Sequence, residues 1–238
     1  MEEFFNTFLF GIYPYIALSV LVIGSVIRYD RDPYTWRANS SQLLRRKQLI
    51  WGSILFHVGI LVVFVGHFVG LLTPIWIFDA LGVGHTFKQI AAIVVGGLAG
   101  VMCLVGLVML LHRRLTDSRI RKTSSFWDIA ILVLLLAQLL LGLGTIFVSL
   151  DHLDGHAMVL FMNWAFGVVT LQPGIAEYIV HAHWLFKLHI VLGLTIFLVF
   201  PFTRLVHMFS APVRYLWRPG YQVVRSRGKS DAQGYPAE

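Results

Sequence analysis

Four histidines lie within long apolar segments of the sequence, and their side chains are the first candidates for chemistry. His57 and His67 fall in LFHVGILVVFVGHFV, and His189 and His207 fall in a second apolar run near the end of the chain. If such segments cross a membrane, an ionisable residue inside them indicates function by default. Imidazole binds metals and transfers protons. The competing interpretation is a neutral histidine that is hydrogen-bonded across a helix bundle.

The amino-acid composition indicates that these segments do cross a membrane. Hydrophobic residues make up 57% of the 238 residues and charged residues 13%, and the mean hydropathy is +0.74. A water-soluble domain has about 45–50% apolar and about 25% charged residues. Because a bilayer core needs about 20 apolar residues per helix, we predict an all-α integral membrane protein with a bundle of five transmembrane helices. The predicted spans are residues 4–27, 49–72, 89–111, 127–149 and 184–208.

The positions of the lysines and arginines predict how the bundle is oriented. Of the nineteen, six lie in the loop between spans I and II, five between spans III and IV, and six at or after the end of span V. On the other face, the II–III loop has only Lys88 and the IV–V loop through His183 has none. Positive residues stay on the cytoplasmic side, so we predict an N-terminus outside and a C-terminus in the cytoplasm. The formal net charge of +7 therefore reflects topology rather than binding to nucleic acid.

The chain is predicted to form one transmembrane domain, residues 1–225, followed by a flexible cytoplasmic tail, 226–238. The first segment, MEEFFNTFLF, has acids where a signal peptide has positive charges, so we expect it to stay as a membrane anchor. The I–II loop and the region after span V mix aromatic residues with arginines, which is typical of headgroup anchoring or of a partner-binding surface. Cys103 stands alone in an apolar run, so we expect a buried free thiol.

The opposite directions of spans II and V predict how the four histidines pair. Span II runs outward, which places His57 in its inner half and His67 in its outer half. Span V runs inward, which places His189 outer and His207 inner. Two histidines on each of two helices is the arrangement that holds two haems, with one imidazole from either helix on each iron. We therefore predict an inner haem bound by His57 and His207 and an outer haem bound by His67 and His189.

The spacing of the histidines differs between the two spans. Ten residues of span II rise about 15 Å, whereas eighteen residues of span V rise about 27 Å. Pro201 lies between the span V histidines, where a kink is expected. Gly59, Gly66, Gly70 and Gly193 could let a flat macrocycle approach the backbone, although small residues also serve helix packing in membranes.

The other six histidines are predicted to be interfacial or solvated. His112 ends span III at the cytoplasmic face, and the outer loops or the edge of span V hold His85, His152, His156, His181 and His183. The segment DHLDGH, 151–156, has ligand-type residues close together but no specific zinc signature. We therefore favour a solvated segment over a metal site there.

Four segments carry a resemblance to a known family. They are IYPYIA from residue 12, RYDRDPYTWRANSSQ from 28, LFHVGILVVFVGHFVGLLTP from 55 and FKLHIVLGLTIFLVFPFTRLVH from 186. The chain resembles the gamma subunit, a di-haem cytochrome b, of membrane-bound respiratory nitrate reductase. The family's axial ligands fall on the four histidines in the pairs predicted above. The resemblance also implies a quinol site formed by Lys88, Gly66 and His67.

The resemblance implies a subunit of the cell inner membrane that oxidises a quinol, menaquinol or ubiquinol, at the outer side. Its electrons would pass through two b haems to an iron–sulfur beta subunit, and a molybdenum-containing alpha subunit would reduce nitrate in the cytoplasm. Two alternatives remain open. The chain could be the cytochrome b anchor of a related quinone-linked oxidoreductase acting on sulfur compounds, or a proton-coupled transporter whose histidines relay protons.

Overall fold

The structure, a computed structural model, describes residues 2–36, 44–151 and 153–210. Within these residues the regular structure is helical and contains no β-strand. The α-helices are α1 (Glu2–Thr7), α2 (Tyr13–Arg31), α3 (Arg46–Leu72), α4 (Ile75–Ala80), α5 (His85–Thr116), α6 (Ser118–Lys122), α7 (Phe126–Leu150), α8 (His156–Val169) and α9 (Trp184–Val199). The predicted tail, His152 and the middle of the I–II loop lie outside the described residues.

The predicted bundle of five spanning helices is confirmed. Among the described residues, five helical stretches are long and apolar enough to cross a bilayer: Glu3–Arg31, Arg46–Leu72, His85–Thr116, Phe126–Leu150 and Trp184–Phe202. In the first of these, a π-helical turn, Phe8–Ile12, joins α1 to α2. Each stretch can satisfy its backbone hydrogen bonds internally, which the bilayer core requires.

The connection between spans IV and V contains an apolar helix that the sequence analysis treated as loop. Helix α8 has 14 residues, too few to cross a bilayer core of about 30 Å. It packs instead against α2 and the π-helical turn. Trp164 on α8 donates its indole N–H to the carbonyl of Phe10 at 2.9 Å. Helix α8 thus closes one end of the bundle.

Helices α3 and α5 pack so closely that their backbones nearly touch. A Cβ atom added at Gly59 would lie 2.7 Å from the carbonyl oxygen of Ala99 and 2.7 Å from the Cβ of Cys103. A Cβ atom at Gly106 would lie 2.7 Å from the carbonyl oxygen of Gly52 and would collide with the backbone nitrogen of Phe56. Small residues allow such approach between membrane helices. Gly59 therefore serves helix packing, not a macrocycle.

The spanning helices form an open ring. Around the bundle, α2 packs on α9, α9 on α7, α7 on α5 and α5 on α3, whereas α3 and α9 make little direct contact. Only 6% of the apolar window of α3 is buried, the smallest share among the five spans. The series of contacts runs from α2 to α3 without closing, so the ring is open beside α3, the helix of span II, which makes little direct contact with either α2 or α9.

The fifth span breaks at Pro201 instead of continuing as a helix to residue 208. Helix α9 ends at Val199, a 3-10 turn covers Phe200–Phe202, and Thr203 has extended backbone angles of φ −113° and ψ 178°. A second 3-10 segment, Arg204–Ser210, follows. Proline lacks the N–H that would continue the helical hydrogen bonds, and its ring clashes with the preceding turn. The kink expected at Pro201 is confirmed. The helix does not merely bend there but ends, and separate 3-10 segments follow it.

The close packing of α3 on α5 predicts a stability difference between two glycines of α5. Gly106→Ala is expected to destabilise the protein by about 1–3 kcal/mol, because the added methyl group collides with the backbone of α3. Gly96→Ala is the matched control, since a Cβ atom at Gly96 meets no atom within 4 Å. Thermal unfolding in detergent measures both. Equal melting temperatures for the two variants would contradict the packing described.

Candidate functional site

The structure brings the four histidines of the apolar segments together in the two pairs that the sequence predicts. The ring centres of His57 and His207 are 6.3 Å apart, with an interplanar angle of 71°. Those of His67 and His189 are 6.2 Å apart, with an angle of 42°. His57 and His67 belong to α3 and His189 to α9, whereas His207 lies on the 3-10 segment after the Pro201 break. The pairs therefore bridge the open side of the ring.

Three of the imidazoles donate a hydrogen bond from Nδ1 to a backbone carbonyl. The bonds run from His57 to Ser53 (2.7 Å), from His67 to Val63 (2.8 Å) and from His207 to Arg204 (2.6 Å). Since a carbonyl oxygen can only accept, the proton of a neutral ring sits on Nδ1. Nε2 then keeps its lone pair, which is the tautomer that metal-binding histidines use.

The fourth imidazole has a side-chain partner that the sequence analysis missed. The amide of Gln138 on α7 lies 3.4 Å from Nε2 of His189. Nδ1 of His189 and Oε1 of Gln138 are buried and make no hydrogen bond among the described residues. The amide thus engages Nε2 of His189, the nitrogen that the other three rings leave free, whereas Nδ1 is buried without a partner among the described residues. The signal in the sequence was an amide in the middle of span IV, a polar group that membrane helices use for association.

The geometry of both pairs fits one metal ion between two imidazoles. Imidazole nitrogen lies about 2.0–2.1 Å from a bound first-row metal, so two rings on opposite sides of one ion have centres about 6 Å apart. The observed separations of 6.2 and 6.3 Å match. Two of the glycines named above border open space, since a Cβ atom at Gly66 or Gly70 meets no atom within 4 Å. At Gly193 a Cβ atom would lie 3.1 Å from Nε2 of Gln138, so that glycine makes room for an amide.

The alternative of histidines hydrogen-bonded across the bundle does not describe α3. His57 and His67 bond to carbonyls of their own helix, four residues earlier. Both side chains are exposed on the surface of the protein. A polar group left exposed at membrane depth is costly. A cofactor seated between α3 and α9 would cover both rings.

A buried group of charges lies beside His207. The carboxylate of Asp128, at the start of α7, is 3.9 Å from Nη1 of Arg114 and 3.7 Å from Nη1 of Arg204. The side chains of the three residues are between 8% and 20% exposed. Burial lowers the pKa of Arg204, Arg114 lowers it further and Asp128 raises it, but arginine stays protonated in proteins. The ion pair with Asp128 thus holds Arg204, whose backbone carbonyl accepts the hydrogen bond from Nδ1 of His207.

Lys88 lies near the end of the bundle that α8 closes. Its Nζ is 3.8 Å from the sulfur of Met162 on α8 and 4.4 Å from the ring centre of Phe78 on α4. No hydrogen bond, ion pair or ring contact joins Lys88 to His67 or Gly66 in the described part of the chain. Lys88 is therefore not joined directly to the other two predicted quinol residues, which are neighbours on α3.

A cavity of about 280 Å³ lies next to the contacts of Lys88. It is lined by Thr73, Pro74, Ile75, Trp76, Met162, Asn163, Phe166 and Gln172. Met162 is shared by the cavity and by Lys88. Aromatic and aliphatic walls with a few polar groups are typical of sites for small organic ligands.

The remaining histidines make local contacts. Nε2 of His85 is 3.9 Å from a carboxylate oxygen of Asp79, and Nδ1 of His183 accepts from the backbone N–H of Leu185. Nδ1 of His112 is 3.3 Å from the amide of Gln48. Over residues 2–36, 44–151 and 153–210, no group of three His, Cys, Asp or Glu side chains could hold a metal ion by itself.

The α8 end of the bundle has a second lysine, which lies inside predicted span V and not in the loop before it. Lys187, on the second turn of α9, donates from Nζ to the carbonyl of Val180 at 2.6 Å. Lys88 is therefore not the only lysine at this end of the bundle.

Nearly the whole chain is similar to gamma chains of nitrate reductases. The sequence profile of the nitrate reductase gamma subunit family matches residues 6–227. The chain belongs to the nitrate reductase gamma subunit family. It is 51% identical over 225 residues to the respiratory nitrate reductase 1 gamma chain of Escherichia coli (strain K12), covering 94% of this chain and 99% of that relative.

Two further relatives have similar coverage. The respiratory nitrate reductase 2 gamma chain of Escherichia coli (strain K12) is 48% identical over 95% of this chain and 100% of its own length. The nitrate reductase gamma chain of Bacillus subtilis (strain 168) is 42% identical over 92% and 97%. The family expected from the four sequence segments is confirmed. The chain is thus a membrane subunit that works with other subunits of a nitrate reductase, which favours this role over both alternatives.

The buried charge group predicts a large effect of neutralising its carboxylate. Asp128→Asn is expected to destabilise the protein by about 3–5 kcal/mol, because two buried guanidinium groups lose their counter-charge. Asp30→Asn is the matched control, since the side chain of Asp30 is 74% exposed and its one ion pair within the described residues is with Arg31. Urea unfolding in detergent compares the two. An equally small effect of both substitutions would show that Asp128 does not hold the arginines.

Proposed function

We propose that the chain is the di-haem cytochrome b subunit of a respiratory nitrate reductase and that it oxidises quinol. The observation that carries the proposal is the geometry of the two imidazole pairs, whose ring centres are 6.3 and 6.2 Å apart across the open side of the helix ring. Full-length similarity to respiratory nitrate reductase gamma chains supports it.

The inner haem would be held by His57 and His207 and the outer haem by His67 and His189. Haem iron bound by two imidazoles takes up and releases one electron at a time. The protein supplies ligation and burial. The carbonyls that accept from Nδ1 fix the orientation of three rings and raise the basicity of Nε2. His189 differs, because Gln138 contacts its Nε2, and the amide would have to release this nitrogen for it to bind iron.

Quinol would bind on the outer side, near Lys88, His67 and Gly66. An ammonium group can donate a hydrogen bond to a quinol oxygen and favour its deprotonation. The cavity that shares Met162 with Lys88 offers a place for the ring of menaquinol or ubiquinol. Oxidation of one quinol to the quinone releases two electrons and two protons, and the protons leave to the outer compartment.

The distribution of arginines between the two ends predicts how the bundle is oriented in the membrane. The end of the bundle with Arg28, Arg114 and Arg204 would face the cytoplasm, and the α8 end would face outward. An iron–sulfur beta subunit would then receive electrons at the cytoplasmic face, and a molybdenum-containing alpha subunit would reduce nitrate. Electron delivery inside and proton release outside in the cell inner membrane would make the reaction electrogenic, worth about 2.3 kcal/mol per charge at 100 mV.

Substitution of the four histidines tests the haem assignment. His57→Ala and His207→Ala are expected to remove the same haem, and His67→Ala and His189→Ala the other one, because each iron needs both of its imidazoles. Reduced-minus-oxidised spectra with a redox titration distinguish the two haems. His156→Ala is the control, since His156 begins α8 outside both pairs. Loss patterns that cross the pairs would contradict the assignment, and a wild-type protein without b-type bands would remove the basis for electron transfer.

Substitution of Lys88 tests the quinol site. Lys88→Met is expected to lower quinol oxidation at least about tenfold while both haems are still reduced by dithionite, because the substitution removes the donor to quinol and leaves the four histidines in place. Lys187→Met is the matched control, a second lysine at the same end of the bundle whose Nζ contacts a backbone carbonyl. Equal quinol oxidation rates in the two variants would argue against a role of Lys88 with quinol.

A further inference from the structure

Arg28, at the end of α2, makes hydrogen bonds to the break in the fifth span. Its Nη1 donates to the carbonyl of Pro201 at 2.6 Å and to the carbonyl of Thr203 at 2.7 Å. Its Nη2 and Nε donate to the carbonyl and the hydroxyl of Thr35, at 2.9 and 3.3 Å. One guanidinium group therefore joins α2, the turn that follows it and the break.

These bonds satisfy carbonyls that the helix break sets free. Pro201 and Thr203 are buried, and a buried backbone carbonyl without a hydrogen-bond partner destabilises the fold. The planar guanidinium group offers several donors in a fixed geometry and stays charged, which suits it to this position. One turn before Arg28, a Cβ atom at Gly24 would lie 2.9 Å from the ring of Pro201. The same face of α2 thus contacts the break twice.

The bonds of Arg28 lie next to the bond that orients His207. Arg28 binds the carbonyl of Thr203, and the next carbonyl in the chain, that of Arg204, accepts from Nδ1 of His207. Thr203 itself is only 1% exposed. Its hydroxyl donates to the carbonyl of Phe200 and accepts from the backbone N–H of Leu205. The short segment from Thr203 to His207 is thus held by hydrogen bonds at successive residues.

The turn that follows α2 also contacts the segment that carries His207. The indole of Trp36 donates to the hydroxyl of Ser210 and stacks on Phe209, with ring centres 6.2 Å apart. The aromatic and arginine residues of this part of the I–II loop therefore bind the chain itself, in addition to any headgroup or partner.

We infer that Arg28 is a positioning residue for His207 and hence for the inner haem alone. The inference rests on the proposed function. Arg28 does not touch the imidazole; it fixes the backbone from which the imidazole is presented and oriented. Partners one step beyond a metal ligand typically change metal affinity by about 10–100-fold when they are lost. The outer pair, held by α3, α7 and α9, has no contact with Arg28.

The test compares Arg28→Gln with Arg31→Gln in the complete membrane complex. Arg31 is the matched control, because its side chain is 82% exposed and, in the part of the chain that the structure describes, its one ion pair is with the exposed Asp30. Arg28→Gln is expected to lower the affinity for the inner haem about tenfold or to change the paramagnetic resonance signal and midpoint potential of that haem. The outer haem and the Arg31→Gln variant should keep wild-type values.

A milder variant keeps the test decisive if Arg28→Gln fails to accumulate. Lysine at position 28 retains the charge but cannot make the four bonds, so Arg28→Lys should fold and still alter the inner haem alone. Changes that affect both haems equally, or no change relative to Arg31→Gln, overturn the inference. So does a failure of both Arg28 variants to accumulate, because the residue then serves folding as a whole. A wild-type complex without haem refutes the proposed function instead.

Discussion

The bilayer core contains no water to hydrogen-bond with stray polar groups, and this constraint determines the arrangement around the histidines. Where a helix departs from regular geometry, a side chain supplies the missing partner. Trp164 donates to Phe10 at the π-helical turn, and Arg28 donates to the carbonyls at the Pro201 break. The imidazoles follow the same rule, because a carbonyl or an amide engages one nitrogen of each ring. In His57, His67 and His207 the nitrogen left over is Nε2, which would be available to iron under the proposed function.

The asymmetric packing of α3 leaves an open side where the proposed haems would sit. One face of α3 lies against the backbone of α5 through Gly52 and Gly59, and the helix makes little contact with α9. The close contact with α5 is enough to hold α3 in place. The opposite side of α3 can therefore stay open. Two imidazole pairs then span an opening that two haems would fill. The apolar surface exposed there would be covered by haem and lipid instead of by protein.

The sequence predicted what depends on direction and periodicity, and missed what depends on local contacts. Five spans and the two histidine pairs follow from hydropathy and from opposite helix directions, and the structure has both. Pro201 predicted a bend, but the extended backbone at Thr203 depends on Arg28 as a distant hydrogen-bond donor. Sequence alone did not separate Gly59, which packs on α5, from Gly66, which borders open space. Composition cannot distinguish these roles, because a neighbouring helix decides them.

The proposed electron transfer requires two irons, each held by two imidazoles. The most direct measurement is haem content per chain together with near-infrared magnetic circular dichroism of the oxidised wild-type complex, which identifies axial ligands. We expect two b haems per chain, both low-spin with two nitrogen ligands. One haem or none, or a haem with a single protein ligand, would contradict the assignment of the histidine pairs.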